Sequence, residues 1–263
     1  PTMGALHAGH LALVEAAKAL ADRVLVSIFV NPTQFAPHED FDQYPRDLDR
    51  DLFALGELGV DGVYTPTREL MYPPSHQTTV SVGAVAQPME GEYRPHFFGG
   101  VATIVAKLFI QCTPDVAVFG EKDYQQLLVI RQMARDLDLP VEVVGHPTIR
   151  EADGLAMSSR NAYLSVEQRA VAAHLPQTLH YIAAALAEGK AFADFEKEAK
   201  ERLRAVGFEP PDYLDFRDAQ TLEPLDRATR PGRLLVAAKL GETRLIDNLA
   251  VPLAAPLARS APG

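Results

Sequence analysis

At 263 residues the chain can bury a substantial core, as one large domain or as one with a smaller companion. Its 35 acidic residues outnumber the 25 basic ones, for a formal net charge of −10. That balance disfavours nucleic acid as a partner, because a phosphate backbone calls for a concentrated basic surface; a few local cations can still hold small anions. No apolar run approaches the roughly 18–20 residues of a membrane span, so no membrane partner is expected. No signal or transit segment is visible. The single cysteine, Cys112, permits neither an internal disulfide nor a Cys-rich zinc site. It reads as a packed structural thiol, and a reducing, cytoplasmic setting is expected. The chain opens on Pro1 without an initiator Met.

In chain order, Leu11, Val14, Lys18 and Ala21 follow a helical register after His10. The segment Val24 to Val30 is apolar without alternation, as in a buried parallel strand. Leu48, Leu52 and Leu55 recur at helical spacing, up to Gly56 or Gly59. The charged run Arg46 to Asp51 reads as the solvated face of that helix. A short strand over 62–65, a helix over 101–111 and a strand over 116–119 follow. Leu127, Ile130, Met133 and Leu137 predict a helix stopped before Pro140, and 141–144 the next strand. This alternation predicts an α/β fold: a Rossmann-like parallel sheet with helices on both faces and ligands at the carboxyl ends of the strands.

Past about residue 170 the texture changes. Ser165 to Gln168 forms a capping box that opens a helix running through Ala173. A charge-rich helix spans 192–206, and strands are expected over 212–216, 234–240 and 243–247, the last two joined by a tight hairpin at Gly241-Glu242. Two domains are therefore expected, a Rossmann-like catalytic domain over 1–173 and a small α+β domain, a lid, over 174–263. From Ala254 on, a Pro/Ala tail is expected to fray.

Four segments carry candidate chemistry, and each falls at a strand-to-helix transition. In Pro1-Thr-Met-Gly-Ala-Leu-His-Ala-Gly-His10, Gly4 and Gly9 allow backbone to approach a ligand closely. A helix starting near His10 offers its N–H groups to phosphate, and His7 and His10 can stabilise charge developing there. A turn with two surface histidines, or half of a metal site, fits the same tetrad. In Phe119-Gly-Glu-Lys-Asp-Tyr-Gln-Gln126, Gly120 opens a turn, Lys122 supplies a compact cation, and Asp123 can cap a helix or bind a ribose hydroxyl. Gly154-Leu-Ala-Met-Ser-Ser-Arg-Asn161 places two hydroxyls and a guanidinium in sequence, suited to a triphosphate and a departing pyrophosphate. In Phe29-Val-Asn-Pro-Thr-Gln-Phe35, Asn31 and Gln34 follow a buried strand; Gln34 and Gln126 are neutral two-way hydrogen bonders, able to read hydroxyls or a carboxylate. Each of these segments taken alone also fits a well-capped helix or a polar surface loop.

These motifs, together with Arg-Leu-Ile-Asp-Asn at 244–248, resemble the pantothenate synthetase family, within the larger group of Rossmann-like nucleotidyltransferases bearing an HxGH tetrad. HxGH alone indicates the superfamily; FVNPTQF with GEKDYQQ narrows it to the pantothenate enzymes. The resemblance implies ATP-dependent, Mg²⁺-requiring condensation of (R)-pantoate with β-alanine through a pantoyl-adenylate, releasing AMP and pyrophosphate, by a homodimer joined through its first domain. It implies that His7 and His10 contact the ATP phosphates, with His10 the proton donor. Met3, Gly4, Ala5, Leu6, Ala8 and Gly9 would border the nucleotide. Gly120, Glu121, Lys122 and Asp123 would bind ATP, Ile149 would touch adenine, and Met157, Ser158, Ser159 and Arg160 would clamp the triphosphate. Catalysis would fall to His10, His7, Lys122 and Arg160. Gln34 and Gln126 would hold pantoate, with Asn31 and Gln34 near β-alanine; the metal ligands stay unassigned.

Two departures stand out. The family carries a strand and helix ahead of PTMG, so the resemblance implies that residue 1 stands inside the fold. His96 in Arg94-Pro-His-Phe-Phe-Gly-Gly100 lies one place earlier than the family's histidine and is given no role. The alternatives are another HxGH nucleotidyltransferase, or a nucleotide-binding protein without turnover.

Overall fold

A computed structural model describes residues 1–37 and 39–253. The expected Pro/Ala tail lies outside the described residues. Contacts divide the chain into two compact units: Pro1–Ile149 with Met157–Ser159, and Arg150–Ala156 with the residues from Arg160 on.

The first unit follows the expected alternation. Its helices are α1 (Ala8–Leu20), α2 (Leu48–Glu57), the short α3 (Arg68–Met71) and α4 (Glu90–Tyr93), α5 (Phe97–Cys112) and α6 (Tyr124–Asp136). Its strands are β1 (Leu25–Ser27), β2 (Gly62–Tyr64), β3 (Val116–Gly120) and β4 (Glu142–His146). They pair in parallel as β1 with β2 and β3 with β4. Thr2 adds a parallel bridge to Ile28 just beyond β1. The β1 strand is shorter than its apolar run because Ile28 and Phe29 hydrogen-bond to Tyr64 and Thr2 rather than continuing one ladder. Helix α5 is apolar around most of its circumference and is correspondingly buried, from Phe98 through Phe109 with few breaks. It packs with Leu127, Ile130 and Met133 of α6 and with Phe119 of β3 in one core. A second, smaller core joins Val14, Val24, Val26 and Leu55. Of the two glycines expected to end α2, Gly59 does so, with Val60 N–H reaching the Leu55 carbonyl. Cys112, the last residue of α5, is free and half-buried, and burial pushes its thiol up, as befits a packed structural thiol.

The second unit contains helices α7 (Val166–Ala172), α8 (His174–Ala187) and α9 (Ala193–Ala205) and strands β5 (Tyr213–Asp218), β6 (Gly232–Leu240) and β7 (Thr243–Val251). The strands form an antiparallel sheet in the order β5-β6-β7. The capping box at Ser165 and Gln168 is present, and Leu240 pairs with Thr243 across the expected hairpin. The units divide ahead of the 173/174 boundary drawn from composition. The physical reason is that Leu155, Leu164, Val171 and Ala172 pack into the core of the second unit, around Leu175, Leu179, Leu234 and Val236. Among the described residues, no helix is long and apolar enough to cross a membrane.

Candidate active site

The histidine tetrad is presented by a turn that springs from the side of β1. Thr2 donates both its N–H and its hydroxyl to the Ser27 carbonyl, at 2.8 and 2.9 Å. The chain then reverses through two left-handed residues, Gly4 at φ +81° and Ala5 at φ +52°. Glycine is needed at the first, where an added Cβ would lie 2.9 Å from an Asp51 carboxylate oxygen. That carboxylate accepts the N–H groups of Ala5 and Leu6, each at 2.8 Å. Asp51 is 3% exposed, so the reading of residues 46–51 as a solvated face is corrected at this position. A buried carboxylate persists only where donors satisfy it, and here two backbone amides do.

Helix α1 begins at Ala8, ahead of the expected start near His10, with His7 as its N-cap. The two imidazoles cap this helix reciprocally. His7 Nδ1 accepts from Gly9 N–H at 3.1 Å, and His10 Nδ1 accepts from His7 N–H at 3.3 Å. Their ring centroids are 4.1 Å apart. A ring nitrogen that accepts a hydrogen bond carries no proton, so in both neutral rings the proton resides on Nε2. This narrows the expectation for the helix amides at one position. The Gly9 amide is committed to His7, and a Cβ at Gly9 would sit 2.9 Å from the His7 ring. Glycine here makes room for an imidazole.

Burial, reinforced by the neighbouring positive charge of Lys122, lowers His10 to about 3. It is therefore neutral at pH 7. Because this folded value lies below the unfolded one of roughly 6.5, the unfolded chain binds the extra proton first as pH falls. Stability should decline by up to about 1.4 kcal/mol per pH unit between about 6.5 and 3 on account of this group. Urea unfolding of the free protein across that range, with His10→Gln as comparison, checks this: the variant should show the shallower slope, and equal slopes would refute it.

The remaining motifs converge in part. Lys122 lies in the 3-10 turn Glu121–Asp123 between β3 and α6, mostly buried, with Nζ 3.8 Å from the Asp123 carboxylate. Its charge acts on His10. Met157 N–H pairs with the Ile149 carbonyl at 3.0 Å, and the Ser159 hydroxyl donates to the Ala5 carbonyl at 3.2 Å. The Ser159 segment and the tetrad turn are thus brought together within the first unit. Met157 and Ser158 are half-buried; Arg160, also half-buried, falls in the second unit by its contacts.

Asn31 and Gln34 flank a 3-10 turn over Pro32–Gln34. Asn31 is 1% exposed and donates to Gln34 Oε1 at 2.8 Å and to the Gly100 carbonyl at 3.2 Å, while its own oxygen accepts from the Tyr72 hydroxyl at 2.9 Å. With its donors on Gln34 and Gly100, Asn31 orients Gln34. Of the adjacent Gln125-Gln126 pair, Gln125 is buried and spans the carbonyls of Val85 and Pro88 and the Glu90 amide. Gln126 is half-buried, and its side chain makes no hydrogen bond among the described residues.

Sequence reasoning passed over Asp51, Gln125 and Arg94. Arg94 grips Glu39 with two hydrogen bonds of 2.7 Å, donates to the Gln34 carbonyl at 3.0 Å and lies over the Phe97 ring. Asp51 and Gln125 have no local signal because their partners are distant in sequence, and so are Glu39 and Gln34, which Arg94 binds. His96 stands at the entry to α5 without a side-chain cap bond. Among the described residues, no three His, Cys, Asp or Glu side chains are grouped to hold a metal ion, so the tetrad finds no third ligand there.

A family model described as Pantoate-beta-alanine ligase matches residues 1–250. The pantothenate synthetase of Mesorhizobium japonicum is 58% identical over 254 residues, covering 97% of this chain and 89% of that protein. That of Caulobacter vibrioides is 57% identical over 256 residues, covering 95% and 89%. The crystal structure of pantothenate synthetase from Thermus thermophilus matches with a TM-score of 0.92 at 51% identity, over 96% of this chain and 92% of that one. A pantoate-beta-alanine ligase from Francisella tularensis, crystallised with beta-gamma ATP and beta-alanine, matches with a TM-score of 0.80 at 34% identity, over 95% and 87%. With a half-buried tetrad turn, a lysine at the β3 end and identity above one half along nearly its whole length, the chain belongs to the pantoate–β-alanine ligase family, the pantothenate synthetases.

Proposed function

We propose that the ligation of pantoate to β-alanine runs on this chain in two half-reactions, with MgATP as the activating substrate. The pantoate carboxylate attacks the α-phosphorus, and the bond from that phosphorus to the bridging oxygen of pyrophosphate breaks. The β-alanine amine then attacks the acyl carbon of the pantoyl-adenylate; the acyl–oxygen bond to AMP breaks and the amine gives up a proton. Adenylation is needed because a free carboxylate would have to expel oxide, whereas the mixed anhydride expels a phosphate. In-line displacement at phosphorus calls mainly for positioning and charge stabilisation.

The observation that carries this reading is the reciprocally capped imidazole pair. With both Nδ1 atoms engaged by backbone, His7 and His10 offer Nε2–H groups as neutral donors to phosphate oxygens. His10 meets the developing charge through its Nε2–H, its imidazole being neutral in the free protein because burial lowers its pKa. Lys122 supplies the cation, and Ser158, Ser159 and Arg160 take the departing pyrophosphate. Met3 to Gly9 and Gly120 to Asp123 border the nucleotide, with Ile149 at the adenine. Gln34 and Gln126 hold pantoate. Mg²⁺ arrives on the triphosphate and offsets its charge. The same reading includes a homodimer. The beta-alanine complex of the Francisella relative supports the choice of amine.

Exchange of labelled pyrophosphate into ATP tests the order of events. It should require pantoate and proceed without β-alanine, with net AMP formation appearing only when β-alanine is added. Exchange that depends on β-alanine would overturn the two-step reading, and exchange indifferent to pantoate would favour another HxGH nucleotidyltransferase.

A further inference from the structure

Asp51 is a buried carboxylate that the chemistry above leaves unused. It belongs to α2, whose Leu48 and Leu52 are 45% and 39% exposed while Asp51 itself is 3% exposed. This helix therefore turns a carboxylate inward and leaves two leucines in water, the reverse of what burial of apolar surface favours. The inward carboxylate is fully engaged: Oδ2 takes the Ala5 amide and Oδ1 the Leu6 amide, both at 2.8 Å. Charge-assisted bonds of this kind are the stronger class.

What they hold is a turn with little reason of its own to persist. Ala5 is left-handed at φ +52°, a conformation that a residue with a Cβ adopts at a cost of roughly 1–2 kcal/mol. From this turn two parts of the site depart. Leu6 leads directly into His7, the N-cap of α1 and the first member of the imidazole pair. The Ala5 carbonyl receives the Ser159 hydroxyl. One carboxylate therefore sets both the entry of the imidazole-bearing helix and the anchor of the Ser159 segment. It also withdraws two amides that a phosphate-binding backbone nest would present, leaving phosphate contact at this turn to side chains.

We infer that Asp51 is a positioning residue for the adenylation half-reaction, holding residues 4–6 so that His7, His10 and Ser159 meet the triphosphate in one arrangement. This rests on the reading of those three residues as phosphate-binding. Asp51 acts through them and touches no substrate.

The test compares the two half-reactions in Asp51→Asn, which keeps the shape but replaces one acceptor with a donor facing an N–H. Pantoate-dependent pyrophosphate exchange should fall about 100-fold, the scale of an ångström-sized misplacement of reacting groups. Pantothenate formation from supplied pantoyl-adenylate and β-alanine should be essentially unchanged, since an interaction used only in the first step leaves the second step's rate alone. A merely structural role would lower both half-reactions together, in proportion to lost folded protein, and would overturn the proposal. So would normal exchange in a folded Asp51→Asn. If Asp51→Asn does not fold, Asp51→Glu, which keeps the charge and shifts the carboxylate by one methylene, should give the same selective loss; failure of both to fold assigns Asp51 to stability alone and also overturns it. His10→Ala run in parallel separates the two readings. Loss of exchange there, with normal exchange in Asp51→Asn, defeats the Asp51 inference alone; normal exchange in both defeats the phosphate-binding assignment itself.

Discussion

Replacing His10 with alanine abolishes, or lowers at least about 10²–10³-fold, the pantoate-dependent exchange of pyrophosphate into ATP, the loss seen when one preorganised donor to a developing anion is removed. The fold should survive. The ring's structural bond, from the His7 amide to Nδ1, is 3.3 Å long and sits at a half-buried helix start, where loss of a neutral hydrogen bond costs about 0.5–1.5 kcal/mol. Circular dichroism and a melting curve close to those of the parent should therefore accompany the lost exchange. His7→Ala should be the more disruptive of the two for α1, because His7 is the N-cap itself. Near-normal exchange in a folded His10→Ala protein would remove His10 from the chemistry.

The second large effect is on stability and lies in the other unit. Asp247 of β7 has a fully buried side chain and binds Arg150 through two hydrogen bonds of 2.8 and 2.9 Å. Arg150 also donates to the carbonyls of Gly154 and Asn248, at 2.9 and 3.0 Å, and Arg233 donates to Asn248 Oδ1 at 2.7 Å. The motif Arg-Leu-Ile-Asp-Asn at 244–248 thus ties the loop 150–156 to the sheet of its own unit. Asp247→Ala leaves a largely buried guanidinium without its counter-charge, and breaking such a pair costs about 3–5 kcal/mol. Against a total stability of roughly 5–15 kcal/mol, this should lower Tm by about 6–20 °C. Urea titration with a two-state fit measures it. A change below about 1 kcal/mol would show that the pair is dispensable. Arg150→Met combined with Asp247→Leu should recover much of the loss, since apolar replacement of a buried ion pair is often neutral or better.

These two sites were not equally legible in the sequence. The tetrad announces itself, because two imidazoles three residues apart after a glycine turn form a local pattern. The 244–248 motif was visible as a family signature, yet its purpose was hidden: Arg150 and Asp247 are 97 positions apart. Asn31 and Gln34 looked interchangeable as loop amides. Only their surroundings distinguish them, since Asn31 spends its donors on Gln34 and Gly100. Gln125 and Gln126 are likewise neighbours in sequence, and the 100° step of a helix turns them to different environments.

The sequence by itself determined whatever depends on short-range periodicity and local chemistry. The strand–helix alternation, the capping box at Ser165, the Gly241-Glu242 hairpin and the identity of the candidate site motifs all follow from residues within a few positions of one another. The tertiary structure alone decided the protonation and aim of those motifs. Whether an imidazole presents Nε2–H depends on which amide meets its Nδ1, and whether His10 is charged depends on its burial and on Lys122 far along the chain. Asp51 shows the limit most clearly. In one dimension it is an acid in a charged run; folded, it lies against the amides of Ala5 and Leu6, 46 and 45 residues away, and long-range satisfaction of a buried charge outweighs the local rule that would have left it in water.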